Sequence, residues 1–407
     1  MNETKVVKLQ ILPSDKQIQY LLDTMKEYTR ICNVVSQWIF ENSFEISHHK
    51  VNAALYHTIR KQSTLTSRLV QDTFRTVCAR YKAVQTQMSK TDTGYVDTDN
   101  KKIHKTLEWL WKPINFKSLQ CDLTRDLDYS FIDGGKQISI STIHGRQKMP
   151  FLIGEYWEHY FDNTWKFGTA KLICRNRKWY IHIPATREIP DINKEQLNKI
   201  VGIDRGLRFL VTTYDGSQTK FISGKNVVKT REKFAKTRQN LQKHNTRYSR
   251  RRLKRIGQRE NSWMTHINHT ISKALVNTYG ANTVFVLEDL KGVSFDTKNL
   301  YRTKQGKREL TSWSFYQLEE FLTYKAESIG SKVIKVSPRY TSQRCPKCGI
   351  IDKTQRKHNK HEYQCLCGYH SNDDRVGAMN IYQLGQRWIN GEDNPKYTKT
   401  KTIAIAE

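Results

Sequence analysis

The sequence contains no uninterrupted run of 18 apolar residues, which excludes a conventional membrane-spanning helix. It has no apolar core behind Met1-Asn2-Glu3-Thr4-Lys5, so nothing reads as a secretory signal. A soluble, cytoplasmic chain with no membrane partner is expected. Acidic residues are scarce: 39 Asp and Glu stand against 69 Lys and Arg, a net charge of +30 over 407 residues. Such a surplus repels itself unless a polyanion neutralises it, and nucleic acid is the commonest polyanion in a cell. No compact basic amphipathic helix sits at either end, which makes a membrane surface the weaker partner. Cysteine is sparse as well. Cys32, Cys78, Cys121 and Cys174 are scattered and read as small core residues, whereas four more crowd between positions 345 and 367. What the chain has in quantity is aromatic residues, 9 Trp, 20 Tyr and 15 Phe, which a disordered chain would lack. Its length suits two or three domains.

Lys5 to Leu12 reads as a strand stopped by Pro13, and Ser14 with Gln17 has the spacing of a capping box, so a helix is expected to begin there. Ile18, Leu21, Leu22, Met25, Ile31, Val35, Trp38 and Ile39 recur at steps of three and four, one buried stripe. Leu65 to Val84 repeats the pattern, which gives a helical region to about residue 90. From Lys105 to Thr186 the texture changes to short alternating runs punctuated by turn residues, a β-rich module that the strand at 5–12 can join. A polar stretch to Asn198 reads as a linker. The third region opens with a strand ending in Asp204, then a second strand from Phe209 to Tyr214. Residues 229–260 hold 13 Lys or Arg against 2 acids, and the helix is expected to continue through Trp263, Ile267 and Ile271. Asn282 to Leu287 is a strand ending in Glu288, and Lys332 to Val336 is another.

Three acids in this basic chain sit at the ends or starts of elements: Asp204, Glu288, and Asp374 at the opening of a helix to Leu384. A pair of divalent cations about 4 Å apart can activate water and stabilise the leaving oxygen of a phosphodiester, and hard cations need carboxylate oxygens. The residue types and their placement fit a nuclease. Any one acid alone is more often a solvated turn residue. The separations of 84 and 86 residues leave room for the elements of an RNase H-like sheet between them.

Four motifs in order make the reading specific: Gly202-Ile203-Asp204-Arg205-Gly206, Leu287-Glu288-Asp289-Leu290, Thr341-Ser342-Gln343-Arg344-Cys345-Pro346-Lys347-Cys348-Gly349, and Asn372-Asp373-Asp374-Arg375-Val376-Gly377-Ala378-Met379-Asn380-Ile381. They resemble the RuvC-I, RuvC-II, zinc-ribbon and RuvC-III motifs of the TnpB family of transposon-encoded RNA-guided DNA endonucleases, relatives of the miniature type V CRISPR effectors. The resemblance is close over the C-terminal half and one of layout over the N-terminal half. It implies a multidomain α+β chain, with an OB-like β-barrel wedge (1–13 and 100–190) carrying a helical recognition insertion (14–99). An RNase H-like RuvC α/β domain (191–340 and 371–390) follows with an inserted zinc ribbon (341–370), then a tail (391–407). By the same resemblance Asp204, Glu288 and Asp374 hold Mg2+ or Mn2+, and the partners are a guide RNA and double-stranded target DNA. The sequence leaves the oligomeric state open, with a monomer favoured. The family's third motif more often reads Asp-x-Asn-Ala-Ala-x-Asn, whereas Val376 and Gly377 stand here at the first Asn and Ala. That leaves a shift of the role to Asp373 open, although Asp373 reads as capping or preceding the helix.

Cys345-x2-Cys348, a gap of 16 residues, then Cys365-Leu366-Cys367 has the pattern of a zinc ribbon, with four thiolates closing a tetrahedral structural Zn2+ site. The second pair is one residue shorter than usual, so His361 or His370 stands as an alternative fourth ligand. A pair of disulfides would suit a reducing compartment poorly. The densest positive segment supplies Arg247, Arg250, Arg251, Arg252, Lys254 and Arg255, which the resemblance places against nucleic-acid phosphates. Trp38, Trp109, Trp111, Trp157, Trp165 and Trp179 read as core anchors, with stacking on single-stranded bases open to any that are exposed. The rival functions are a nuclease-silent RNA-guided repressor, a miniature type V CRISPR effector of the same architecture, and a strand-joining transposase. Intact acids in all three motifs disfavour the first.

Overall fold

The computed structural model describes residues 2–90, 106–290, 315–357 and 360–399. The expected junction at 99/100, residues 291–314 of the expected nuclease domain and the end of the tail lie outside the described residues. The chain divides into two compact units, Asn2–Glu188 and the residues from Ile189 onward.

In the first unit β1 (Asn2–Ile11) stops two residues before Pro13, and Ser14 caps α1 (Asp15–Glu41). The Gln17 N–H donates to Ser14 Oγ at 3.4 Å while Gln17 Oε1 accepts from the Ser14 N–H at 3.0 Å, the reciprocal bonding of a capping box. α2 (His48–Gln62) and α3 (Ser67–Lys90) complete the helices. The strands that follow are β2 (Cys121–Leu123), β3 (Tyr129–Ile132), β4 (Gln137–Thr142), β5 (Gly145–Leu152), β6 (Lys166–Phe167), β7 (Ala170–Arg175) and β8 (Lys178–Glu188), with a single helical turn, α4 (Glu155–Glu158), before β6. They form one sheet, nearly closed into a barrel, in the order β2-β7-β8-β1-β5-β4-β3, with β6 on β8. β1 pairs antiparallel with β8, Val7 opposite Ile183 and Leu9 opposite Ile181. Residues 2–11 therefore belong to the barrel, and the three helices are inserted between its first two strands. Helices and barrel share one core in which Tyr28, Phe74 and Tyr81 join Val7, Leu9 and Ile181. Each large apolar side chain so buried stabilises the unit by about 1.5–3 kcal/mol. Cys32, Cys78 and Cys121 are buried as expected, but Cys174 is exposed, near the end of β7. Trp165 and Trp179 are core anchors and Trp38 and Trp157 pack partly against the core, whereas Trp109 and Trp111 stand out in solvent.

The second unit is built on β9 (Lys199–Asp204), β10 (Phe209–Tyr214), β11 (Thr219–Ser223), β12 (Thr283–Glu288) and β13 (Lys332–Val336), ordered β11-β10-β9-β12-β13. β9, β10 and β11 are antiparallel neighbours, while β12 runs parallel to both β9 and β13. A parallel strand covered on both faces is apolar throughout, and Val284, Phe285, Val286 and Leu287 are all buried. Alternation sorts them. Phe285 and Leu287 pack with Val201 and Ile203 toward α6 (Arg247–Tyr279) and α7 (Phe315–Glu327), and Val284 and Val286 pack toward α8 (Asp373–Ile389). α5 (Lys225–His244) precedes α6. The basic run read as one continuous helix is therefore broken: Asn245 takes a left-handed conformation (φ 41°), and Thr246 caps α6 by accepting from the Ser249 N–H at 3.1 Å. Among the described residues no helix is long and apolar enough to cross a membrane.

Candidate active site

Leu287 of β12 pairs with Ile203 of β9 in parallel register, so Glu288 and Asp204 follow side by side at the carboxyl ends of neighbouring strands, about 4.8 Å apart in backbone spacing. A Cβ on Gly202 would point into α8 and run into the Ala378 carbonyl. Alternation then sends Asp204, two residues on, to the same face, and Glu288 follows Val284 and Val286 toward α8.

α8 lies unusually close to this sheet because glycines stand at the contacts. Besides Gly202, a Cβ on Gly385 would lie 2.5 Å from Val286 Cγ2, and one on Gly377 would lie 2.8 Å from Asp204 Oδ2. The departure at Gly377 from the usual motif thus makes room for the Asp204 carboxylate. At the start of α8, Asn372 is the cap. Its Oδ1 accepts from the Asp374 and Arg375 N–H groups at 3.0 and 3.1 Å. Asp373 is neither the cap nor outside the helix; it is the first helical residue, with its side chain 1 % exposed and its Oδ2 accepting from Arg356 Nε at 3.0 Å.

The electrostatics separate the two neighbouring acids. The Asp373 carboxylate is matched by the Arg356 guanidinium, with His361 Nδ1 at 3.8 Å. Asp374 Oδ2 is buried with no hydrogen-bond partner. Burial raises the proton affinity of Asp374, and the negative Asp373 adds to it. Burial also holds Asp204 well above the ordinary carboxyl range, reinforced by Glu288 and Asp374 and opposed by Arg356. Glu288 is raised by burial and held back by Thr341, whose hydroxyl donates to Oε1 at 2.5 Å, and by Arg205 and Arg356. Crowded carboxylates drawn out of water with a bare oxygen among them favour either protons or a cation. An all-oxygen donor set suits a hard divalent ion. Among the described residues, ligand atoms of His361, Asp373 and Asp374 lie within 4.8 Å of one another.

Several residues at this site are not singled out by sequence reasoning. Arg205, its side chain 1 % exposed, donates to the Glu288 carbonyl at 2.6 Å and the Phe315 carbonyl at 3.2 Å, and pairs with Glu319 at 3.3 Å. Thr341, Arg356 and Asn380 are the others. Arg205, Thr341 and Asn380 fall inside the quoted motifs, which is the one signal that marks them.

The four clustered cysteines converge, with all Sγ atoms within 4.8 Å, Cys345 and Cys367 at 3.7 Å and Cys348 and Cys365 at 3.5 Å. A zinc tetrahedron with bonds of about 2.3 Å has sulfur–sulfur edges of about 3.8 Å, whereas a disulfide bond is about 2.05 Å long. The short second knuckle closes as the first does: Gly349 and Gly368 (φ 80° and 82°) each follow the second cysteine and donate to the carbonyls of Cys345 and Cys365 at 3.0 Å. Cys367 is drawn down to about 7, chiefly by the Tyr369 N–H, while burial pushes Cys365 up to about 12. Neither alternative histidine joins the thiols. His361 sits at the acids and His370 lies 4.0 Å from Glu362. A small sheet, β14 (Arg356–Lys357), β15 (Glu362–Gln364) and β16 (His370–Asn372), carries Arg356 to Asp373. Asn380 of α8 ties the segment leading into the first knuckle in place, Nδ2 donating to the carbonyls of Thr341 at 2.8 Å and Arg344 at 2.7 Å.

Arg247, Arg250, Arg251, Arg252, Lys254 and Arg255 are all exposed on the first turns of α6. Ser249, Ile256 and Glu260 form its buried stripe, where Glu260 pairs with Arg238 of α5. Arg247, Arg250, Arg251 and Lys254 make one outward row at helical spacing.

Residues 182–292 match the family described as "Probable transposase", and residues 315–381 match the family described as "Cas12f1-like, TNB domain". The CRISPR-associated endodeoxyribonuclease Cas12f1 of Sulfoacidibacillus thermotolerans is 32 % identical over 225 residues, 51 % of this chain and 50 % of that one. TnpB-like protein L79 of Acanthamoeba polyphaga mimivirus is 27 % identical over 232 residues, 54 % of this chain and 43 % of that one. The chain therefore spans about half the length of these relatives. A solved structure of the mini-RNA-guided endonuclease CRISPR-Cas phi3 superposes with a TM-score of 0.52 at 10 % identity, covering 97 % of this chain and 93 % of that one, a likeness of fold. The resemblance to TnpB proteins carried by the four motifs is borne out by these matches.

Proposed function

We propose that this chain is an RNA-guided DNA endonuclease with a single metal-dependent site at Asp204, Glu288 and Asp374. The observation that carries the reading is their arrangement. Two acids end adjacent parallel strands on the face covered by α8, and a third, with a bare buried oxygen, sits on that helix where Gly377 packs against the first. The strand order, three antiparallel neighbours followed by two parallel strands, supports an RNase H-like RuvC domain over 191–340 and 371–390. The barrel with its helices supports an OB-like wedge (1–13 and 100–190) with a recognition insertion (14–99). The thiol cluster supports a zinc ribbon over 341–370 closed by Cys345, Cys348, Cys365 and Cys367.

Mg2+ or Mn2+ held by the three acids would supply an activated water and stabilise the leaving oxygen of a phosphodiester. The chain's own residues fix the acids. Thr341 orients one oxygen of Glu288, Arg205 holds the Glu288 backbone, and Asn372 places Asp374 in the first turn of α8. Arg356 keeps the charge of Asp373 occupied, which leaves Asp374 as the third ligand rather than Asp373. A site closed by four thiolates has no open position, so Zn2+ there is structural. The row Arg247, Arg250, Arg251 and Lys254, with Arg252 and Arg255 beside it, meets phosphates of guide RNA or its duplex with target DNA.

The test is purification from the host followed by sequencing of bound RNA, then cleavage of matched duplex DNA. A discrete RNA species and guided cutting are expected, with Asp204→Ala and Glu288→Ala abolishing cutting while RNA is retained. Absence of any discrete RNA overturns RNA guidance, and undiminished cutting by either variant overturns the site. A wild-type chain that binds guide and target without cutting is the nuclease-silent alternative.

A further inference from the structure

The first unit carries a feature that the nuclease site does not use. Residues 110–120, between the turn at Leu107–Trp109 and β2, run across α1 and α3 without regular secondary structure. Their backbone is held by side chains instead. Asn33 Nδ2 donates to the Phe116 carbonyl at 3.1 Å while its Oδ1 accepts from the Phe116 N–H at 2.8 Å. Ser36 Oγ donates to the Ile114 carbonyl at 2.6 Å, and the Tyr81 hydroxyl accepts from the Ile114 N–H at 3.2 Å. Ile114 and Phe116 turn inward onto the core. Asn115 and Lys117, alternating with them, are exposed.

Trp111 is 87 % exposed, with Lys112 Nζ 5.7 Å from its ring centre. The ties at Ile114 and Phe116 lie three and five residues beyond it, so the exposed indole stands beside a held segment and offers an open stacking face. It borders a groove of about 690 Å³ lined by Asn33, Gln37, Trp111, Lys112, Asn115 and Lys117, a size in the range of small-ligand sites. Lys117 also lines a second groove of about 520 Å³, where Arg80 and Lys171 add positive charge. The single acid there, Asp122, is compensated by the Thr76 hydroxyl at 2.7 Å and by Lys171 at 3.3 Å. Cations thus continue from the indole through Lys117 into the next groove.

We infer that this strap binds a single-stranded stretch of nucleic acid, one unpaired base stacking on Trp111 and the adjoining phosphates lying against Lys112, Lys117 and Arg80. The inference rests on the nucleic-acid reading above but not on the cleavage site. A paired base inside a duplex has no free face for the indole, which is why the ligand is single-stranded. Sequence selectivity is weak, since every base offers a stacking face.

The test measures binding of labelled oligothymidylate and oligouridylate to the full chain without divalent cations, by fluorescence anisotropy across a salt series. Trp111→Ala is expected to weaken binding of one or both strands about fivefold or more, with Trp111→Phe retaining most of the affinity. An oligonucleotide of abasic sites should bind wild type and Trp111→Ala alike. Lys117→Ala should lower the salt slope by about 0.7, the share of one single-strand phosphate contact. The arm that loses affinity identifies DNA or RNA as the occupant. Wild-type binding that Trp111→Ala leaves unchanged in both arms overturns the inference and leaves the endonuclease reading standing. A wild-type chain that binds neither strand nor any guide overturns the nucleic-acid reading itself.

Discussion

A methyl group on Gly377 would lie 2.8 Å from Oδ2 of Asp204, closer than a side-chain carbon approaches an oxygen. The helix that carries one acid is therefore seated against the carboxylate of another, and the separation of the two is set by a missing side chain.

Gly377→Ala should push the Asp204 carboxylate or the start of α8 aside, at an overpacking cost of about 1–3 kcal/mol. Guided DNA cleavage should fall at least tenfold while guide RNA stays bound, measured by single-turnover cutting beside RNA retention. Gly202→Ala meets backbone, the Ala378 carbonyl, so it should lower the melting temperature as well as the activity. Full cutting by Gly377→Ala would remove the proposed contact between α8 and the site.

Arg205 serves two carbonyls and one carboxylate from a position 1 % exposed. Removing it takes a donor from the Glu288 and Phe315 carbonyls and leaves Glu319 with Lys335 alone, at 3.0 Å, and Arg205→Ala should destabilise the second unit by about 3 kcal/mol in urea unfolding. Arg205→Lys keeps the charge but cannot span three acceptors, so it should recover only part of that loss. Complete recovery would show that charge alone matters.

Zinc content separates the thiol assignment from the histidine alternative. Cys367→Ser should lose most of the bound zinc by atomic absorption, whereas His361→Ala and His370→Ala should retain one zinc per chain. Removal of zinc by a zinc-selective chelator with Mg2+ in excess should also silence cutting, because the ribbon carries Arg356 and His361 to the acids. Retention of zinc by Cys367→Ser would reassign the fourth ligand.

Asp128 in the first unit is pushed up to about 6, first by burial and then by the neighbouring Asp72, against the pull of the Thr124 N–H. A carboxyl whose folded pKa is raised binds more protons in the native state, so stability falls as pH rises from about 4 to about 6 and stays reduced above. The penalty at pH 7.5 relative to pH 4 is at most about 3 kcal/mol. Asp128→Asn keeps an acceptor for the Thr124 N–H and should flatten the dependence. Urea unfolding of the two chains at pH 4.5 and 7.5 measures the difference. Equal pH slopes would exclude Asp128 as its source.

Local chemistry made much of this fold readable in the sequence. The capping box at Ser14 and Gln17, the strands ending in Asp204 and Glu288, and the cysteine knuckles each need only neighbours in the chain. The strap, the Arg205 contacts and the place of His361 depend on segments meeting across tens of residues, and neither period nor composition encodes them. The break at Asn245 was hidden by a positive run that carries through both helices, since charge does not report a left-handed residue. Asp373 and Asp374 look equivalent in sequence. Burial of the first against Arg356 distinguishes them, and Arg356 lies on a strand of the ribbon rather than beside them. Trp111 departs from the expectation of a core anchor: Ile114 and Phe116 are the residues of its segment that turn inward and whose backbone the helices hold, and the indole stands in solvent.

The order in which the site is assembled follows from where α8 stands in the chain. Asp204 and Glu288 meet through β9 and β12, but Asp374 is 170 positions beyond Asp204 and arrives only with the helix that follows the ribbon. Under the proposed function, a ribosome that has released the central sheet has therefore not yet released the whole site. A chain terminated anywhere before α8 would lack the third acid and should be unable to cut.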